Sequence, residues 1–348
     1  MDFLFAQGCS IISNKLSLVC VILAACLASS LITAAEPGWI PPRTASGAPD
    51  LQGLWSNVSQ TPLERPLALG TQSTYTADEA AKLEAQVTLL DSLRALPSDP
   101  DREAPPVGDI QELASDLNFI PVLGSRIAEF FGEYRTSLII DPPDGRLPLR
   151  ENSMDIYDEW RAAGFGDFDG PEIRPVSERC MVTGAPIPHM IRLQGDNIQI
   201  VQNDDYVMIL NEYGYERRIV RLNSQHPANA FNKWMGDSIG HFEDDTLVVH
   251  TQSFRPEQSM AWGDLYPYLK SSEQLEVTER FSVISEGALK YSYVASDPKI
   301  YTAPFTVEIP LERMPEGQHF YEFACHEGNY SMRNIMSGAR RQDLDRQQ

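Results

Sequence analysis

The chain has 348 residues, 42% of them hydrophobic, and it carries 28 basic against 49 acidic residues for a formal net charge of −21. This length and apolar content suit one large β domain, or two smaller ones, with a real core. So acidic a surface repels phosphate backbones and anionic lipid headgroups, and we therefore predict no nucleic-acid partner. Solubility is the simpler explanation of the charge itself.

The first 35 residues are typical of a signal peptide. Lys15 precedes an almost wholly apolar run over residues 16–32, and small residues end at Ala35, where cleavage is expected. Leu23-Ala24-Ala25-Cys26 is also typical of a bacterial lipobox, so a lipid anchor at Cys26 is the alternative. We expect a periplasmic or secreted protein that contacts a membrane only through the signal peptide or that anchor.

Only two cysteines, Cys180 and Cys325, follow the predicted signal peptide. In an oxidising compartment a single disulfide between them is the simplest expectation. The closed loop of about 145 residues would stabilise the fold by up to about 5 kcal/mol in the chain-entropy description. A nucleophilic thiol is the alternative, and it would require a reduced partner.

After the signal peptide, residues 36–50 are rich in proline and predict an extended segment. Thr76 and Glu79 form a capping box that predicts a helix over about 77–96, ended by Pro97. We assign residues 51–340 to a single β-rich domain that carries a helical insertion at 77–134, where residues 109–134 are partly helical by their apolar spacing.

Most of the remaining chain predicts strands. Residues 197–252 contain β-branched runs bounded by Asn, Asp and Gly, a hairpin follows over 274–295, and further strands are expected at 305–309 and 318–325 before a short C-terminal helix. Because no helices intervene, we expect antiparallel pairing. The predicted fold class is mainly β, an antiparallel β-barrel or a coiled sandwich.

Several signatures resemble a family of exported bacterial proteins of about this length. They are GLWSN from Gly53, TPLERP from Thr61, DPPDGRLP from Asp141, SERC from Ser177 and YEFACHEGNY from Tyr321. This resemblance implies the fold and export and carries over no catalytic role. Gly53-Leu54-Trp55 is also similar to the Gly-x-Trp that opens the first strand of lipocalin-like barrels, where the Trp closes the barrel floor.

Three residues are candidates for acid–base catalysis: His326 and Glu327, at the end of the strand expected over 318–325, and Asp237, in a Gly-rich segment. Histidine titrates near neutrality, and a neighbouring carboxylate can assist proton transfer. The alternatives are a polar corner that holds the disulfide loop, for His326 and Glu327, and a turn-capping residue, for Asp237.

Aromatic and polar side chains are candidates for lining a ligand pocket. The predicted ligand-binding residues are Trp55, Asn57, Tyr213, Trp234, His241, Trp262 and Tyr321. The histidines lack metal-binding spacing, and no nucleotide or calcium motif is present, so we predict neither a metal nor a cofactor.

Three functions fit these features. The first is an exported barrel that binds a hydrophobic small molecule, of lipid, terpenoid or sterol type, in an internal cavity. The second is a cofactor-independent enzyme on the same fold, an isomerase, cyclase, hydratase or lyase, that uses His, Asp and Glu for acid–base chemistry. The third is an interaction protein of the cell envelope.

Overall fold

The computed structural model describes residues 39–57, 59–94, 126–153, 155–174, 179–180, 197–212, 216–256 and 271–346. The predicted signal peptide with Cys26, and the ligand candidates Tyr213 and Trp262, lie outside these residues. Within them, no helix combines the length and the apolar character that crossing a bilayer requires.

Nine of the described strands close into a barrel. Its strands are β1 (Gly53–Ser56), β6 (Asn197–Gln202), β7 (Tyr206–Asn211), β8 (Arg217–Leu222), β9 (Asp237–Glu243), β10 (Thr246–Gln252), β11 (Glu276–Ser285), β12 (Ala288–Ser296) and β13 (Phe305–Arg313). Neighbours pair in this order, and β1 pairs with both β6 and β13, which closes the ring. The predicted mainly β barrel is confirmed.

The remaining elements lie outside the ring. Strand β5 (Ile139–Asp141) adds to β13, and a small sheet is formed by β2 (Thr74–Tyr75), β3 (Glu129–Phe130) and β4 (Glu133–Arg135). The described helices are α1 (Ala77–Arg94), α2 (Asp155–Ala162) and α3 (Ser331–Arg346). The predicted N-terminal and C-terminal helices are therefore both present.

The capping box of α1 forms as expected. Oε2 of Glu79 accepts hydrogen bonds from the backbone N–H and the hydroxyl of Thr76, and the N–H of Glu79 donates back to the Thr76 hydroxyl. Residues 126–135, in contrast, are not helical. They hold β3 and β4, in which Glu129 pairs with Tyr134, so the helical spacing in this part of the insertion indicated the wrong element.

The barrel interior is filled by side chains that follow the two-residue alternation of the strands. On β11, for example, Val277 and Phe281 point inward and are fully buried, whereas Arg280 between them is exposed. Interior apolar side chains with at most 1% exposure include Trp55, Ile198, Ile200, Val207, Ile209, Val220, Leu247, Val249, Val277, Phe281, Leu289, Tyr291, Tyr293, Ala295, Phe305, Val307, Ile309 and Leu311.

One pairing departs from the predicted antiparallel pattern. Strands β8 and β9 are parallel, with Val220 opposite Ser238. Parallel neighbours need a crossover connection, because the chain has to return to the starting end of the first strand. Residues 223–236 provide this crossover. Within the crossover, Lys233 forms an isolated parallel bridge with Phe254, just after β10.

The predicted disulfide between Cys180 and Cys325 is present, with Cα atoms 5.5 Å apart. The strand predicted over 318–325, however, is wrong, because this segment forms no ladder. The physical reason is closure: β1 and β5 already occupy the edge of β13 that faces away from β12, so the ring offers no edge to this segment. The N–H of Tyr321 instead donates to the Glu212 carboxylate, 2.6 Å away.

Candidate functional site: the Asp237 cluster and its groove

Asp237 begins β9 and points to the outer face of the barrel, where the crossover meets the sheet. Its side chain is 1% exposed. Arg221 donates to both carboxylate oxygens, at 3.1 and 2.8 Å, and Lys233 donates to Oδ1 at 2.8 Å. Nδ1 of His226 lies 2.8 Å from Oδ2. The crossover thus delivers His226 and Lys233 to the carboxylate, and β8 delivers Arg221.

These contacts keep Asp237 ionised. The hydrogen bonds from Arg221 lower the pKa of Asp237 far below its ordinary value; burial opposes this, and Lys233 and His226 reinforce it. The bond to Asp237 in turn raises the pKa of Arg221, although burial acts against it. A carboxylate held in this state orients its neighbours and does not exchange protons near neutral pH.

A second histidine extends the cluster. Nε2 of His226 lies 2.9 Å from Nδ1 of His250, on the adjacent strand β10, and Nε2 of His250 lies 3.9 Å from Oε2 of Glu276. Burial lowers the pKa of His250, as does the neighbouring His226, whereas Glu276 raises it. We call Asp237, His226 and His250 the histidine relay.

Beside Asp237 the outer face forms a groove of about 400 Å³. Its wall combines apolar surface with cationic residues of β8 and the crossover, and the lining residues used below are Tyr206, Ile219, Met235, Arg217, Arg221 and Lys233. Arg217, Ile219 and Arg221 alternate along β8 and therefore share its outer face. We call this space the cationic groove.

A second groove, of about 440 Å³, lies between α3 and the segment that follows α2. Its charges are compensated locally, because Arg161 pairs with Asp167 at 3.1 Å and Arg340 lies near both Asp169 and Asp343. A groove with balanced charges offers less attraction to an ionic ligand than the cationic groove.

The barrel interior also holds a polar cluster. Arg218 forms a bidentate ion pair with Glu279, and the hydroxyl of Tyr291 donates to Oε1 of Glu279 at 2.8 Å. Burial acts to lower the pKa of Arg218, but the Glu279 carboxylate outweighs it and the pKa is raised. Burial also raises the pKa of Tyr291 well above its usual value. Because packed side chains surround this cluster, we assign it to the fold and not to a ligand site.

The predicted site residues fall on different parts of the structure. Asp237 belongs to the relay, and Trp234 lies in the crossover with the Arg255 guanidinium 4.9 Å from its ring centre. Trp55 and Asn57 are buried in and just after β1, His241 is exposed beside Glu243, and Tyr321, His326 and Glu327 are exposed near the disulfide. The catalytic roles of His326 and Glu327 stay predictions. The strand at whose end they were expected is not formed.

Sequence reasoning missed most of the cluster: Arg217, Arg221, His226, Lys233 and His250. The relay histidines lie 24 positions apart and share no motif, since the parallel pairing of β8 and β9 creates their contact. One signal was readable, because Arg217 and Arg221 are spaced to share a strand face.

Within the described residues, no group of three or more His, Cys, Asp or Glu side chains is arranged to hold a metal ion. His226 and His250 of the relay contact each other through their ring nitrogens and belong to no such group. No protein-family model matches the chain, and no curated protein does.

Proposed function

We propose that this protein is an exported β-barrel that binds a small amphipathic acid, a molecule with an apolar body and one anionic group, in the cationic groove. The observation that carries the proposal is the convergence of Arg217, Arg221 and Lys233 with apolar surface in one groove of a chain whose net charge is −21. On so acidic a protein, such a concentration of positive charge marks a local preference for anions.

The groove has the composition of a small-molecule site. Its volume of about 400 Å³ falls within the range of roughly 300–1,000 Å³ that is usual for ligand pockets. Tyr206 and Ile219, both 48% exposed, provide apolar surface that a hydrocarbon body can cover. The proposal places the ligand on the outer face, since the inward-pointing apolar side chains of the described barrel strands are almost fully buried.

Lys233 keeps N–H donors that a ligand can reach. Lys233 is 53% exposed, and its ammonium carries three N–H donors, of which one reaches Asp237. Arg221 and Lys233 both donate to Asp237, and Arg217 adds a further positive charge to the same groove. A carboxylate is therefore attracted, and among the candidate classes a lipid or terpenoid acid fits better than a neutral sterol.

Titration calorimetry with dodecanoate and dodecanol tests this proposal, because the two ligands share a tail and differ in charge. An exposed ion pair contributes about 0.2–1 kcal/mol, so we expect dodecanoate to bind about tenfold more tightly through two or three cations. Arg217→Gln and Lys233→Gln should each weaken dodecanoate binding about two- to fivefold and leave dodecanol unaffected.

The matched control is Arg280→Gln. Arg280 is an exposed arginine on the outer face of β11 that pairs with Glu243 at 2.8 Å and does not line the groove. Its replacement should leave both affinities unchanged. Equal affinity for the acid and the alcohol would refute the anionic selectivity, and the absence of binding by either would favour an envelope interaction protein.

A further inference from the structure

The histidine relay has a defined direction of hydrogen bonding. Asp237 is a carboxylate and can only accept, so Nδ1 of His226 carries the hydrogen in their 2.8 Å contact. Nε2 of neutral His226 is then an acceptor, and the 2.9 Å contact requires Nδ1 of His250 to donate. The Nε2 lone pair of His250 then lies on the side of Glu276, with Oε2 of Glu276 3.9 Å away, on a side chain that is 35% exposed.

The surrounding charges determine where a positive charge can form. Arg221 and Lys233 already pair with Asp237 beside His226. His250 faces the Glu276 carboxylate, with its Nε2 atom 3.9 Å away. The positive charge that forms when Nε2 of His250 takes up a proton therefore lies close to the Glu276 carboxylate, which compensates it.

We propose that the relay is a second site, a general base whose reactive atom is Nε2 of His250 and which removes a proton from a neutral carbon acid. Glu276 repels anions from the reactive atom, so the substrate class is a neutral compound with an activated C–H bond, for example next to a carbonyl group. This proposal does not depend on the ligand of the cationic groove.

The reaction step needs no oxidant or reductant. The carbon-bound proton moves to Nε2 of His250, and the electron pair of the C–H bond stays on the substrate. That pair then forms a multiple bond as a leaving group departs, or the imidazolium returns the proton to a different atom. The net reaction is an elimination or an isomerisation. Asp237 and His226 position His250 and fix its tautomer.

The probe that tests this site is 5-nitrobenzisoxazole, a neutral compound. Its C–H proton moves to the base, the carbon–nitrogen multiple bond forms, the N–O bond breaks, and a coloured nitrophenolate is released. No oxyanion hole is needed, so the rate reports the base alone. We expect ring opening about 10²-fold faster than with free N-acetylhistidinamide at the same concentration.

The variants separate the base from the residue that positions it. His250→Gln should reduce the rate to the background. His226→Gln should lower the plateau of the pH–rate profile, because it removes the ring nitrogen that holds the Nδ1 hydrogen of His250. The matched control is His319→Gln, since His319 is an exposed histidine that lies outside the relay. It should keep the full rate.

A wild-type rate that His250→Gln does not reduce, or that His319→Gln reduces equally, would overturn the proposal. A second measurement remains decisive if a variant fails to fold. Nitrogen-15 NMR of the wild-type histidines should show His226 and His250 both with the hydrogen on Nδ1. A hydrogen on Nε2 of neutral His250 would remove the lone pair and refute the base.

Discussion

Arg218 of β8 and Glu279 of β11 pair across the barrel interior, although β9 and β10 separate their strands in the sheet. The two side chains are 3% and 0% exposed. Removing one partner leaves the other as an uncompensated buried charge, whereas removing both does not. The pair therefore joins β8 to β11 across the interior. Single and double substitutions at these two positions should differ in their effect on stability.

The first prediction concerns this ion pair. Glu279→Gln should lower the free energy of unfolding by about 3–5 kcal/mol, measured by urea denaturation. Arg218→Met combined with Glu279→Leu should recover most of that loss. Arg280→Gln, next along β11 and exposed, should cost at most about 1 kcal/mol. Equal losses for Glu279→Gln and Arg280→Gln would contradict the buried pair.

The second prediction concerns the disulfide. Neither Cys180 nor Cys325 lies on a barrel strand, and the bond closes a separation of 145 residues. Cys180→Ser should reduce the free energy of unfolding by up to about 5 kcal/mol and leave the β-sheet circular dichroism spectrum unchanged. Cys180→Ser combined with Cys325→Ser should cost no more than the single change. A lost β-sheet spectrum would show that the barrel depends on the bond.

The third prediction concerns acid stability. The pKa of Asp237 lies well below the value of about 3.9 usual for unfolded chains, so its carboxylate stabilises the fold above that value. The contribution is lost as the pH falls toward the folded-state pKa. Asp237→Asn should therefore cost about 1–3 kcal/mol at pH 7 and less at pH 3, by urea denaturation.

Glu243→Gln is the comparison for Asp237→Asn, because Glu243 lies on the same strand but is half exposed. Its effect on stability should be smaller at both pH values. If Asp237→Asn has the same cost at pH 7 and at pH 3, the charge of Asp237 does not support the fold.

The fourth prediction concerns Gly236, which lines the cationic groove with φ at +66°. A Cβ at this position would lie 2.6 Å from Cγ2 of Thr251 and 2.9 Å from the carbonyl oxygen of Gln252. Gly236→Ala should therefore combine a left-handed backbone cost of about 1–2 kcal/mol with an overpacking cost of about 1–3 kcal/mol.

Gly132→Ala provides the control for Gly236→Ala. Gly132 also has a positive φ, of +85°, but a Cβ there would meet nothing within 4 Å. Only the backbone cost should remain in its unfolding free energy. Similar losses in the two variants would mean that the Gly236 contacts relax without cost.

The fold was largely readable from the sequence because alternation is local. The β11–β12 hairpin, α1 and the disulfide follow from residue patterns and residue types. The parallel pairing of β8 and β9 did not, since nothing in either strand records the direction of its neighbour. The strand predicted over 318–325 was wrong because barrel closure, a global property, left it no partner.

The candidate site was less accessible to sequence reasoning. Asp237 was recognised as a carboxylate of interest, but its partners Arg221 and His226 depend on the crossover. The buried pair did have a local signal: Arg218 shares its strand face with Val220, and Glu279 shares its face with Phe281. A charge on an inward face of each of two strands indicates an internal ion pair.

The measurement that tests the central claim most directly is a dodecanoate titration followed by the methyl resonances of carbon-13-labelled methionine. Met235 lines the cationic groove, whereas Met314, just after β13, does not. The account predicts a saturable shift of the Met235 methyl with Met314 unmoved, and with dodecanol the same shift only at about tenfold higher concentrations. Saturable binding of dodecanoate that leaves the Met235 methyl unmoved would contradict it.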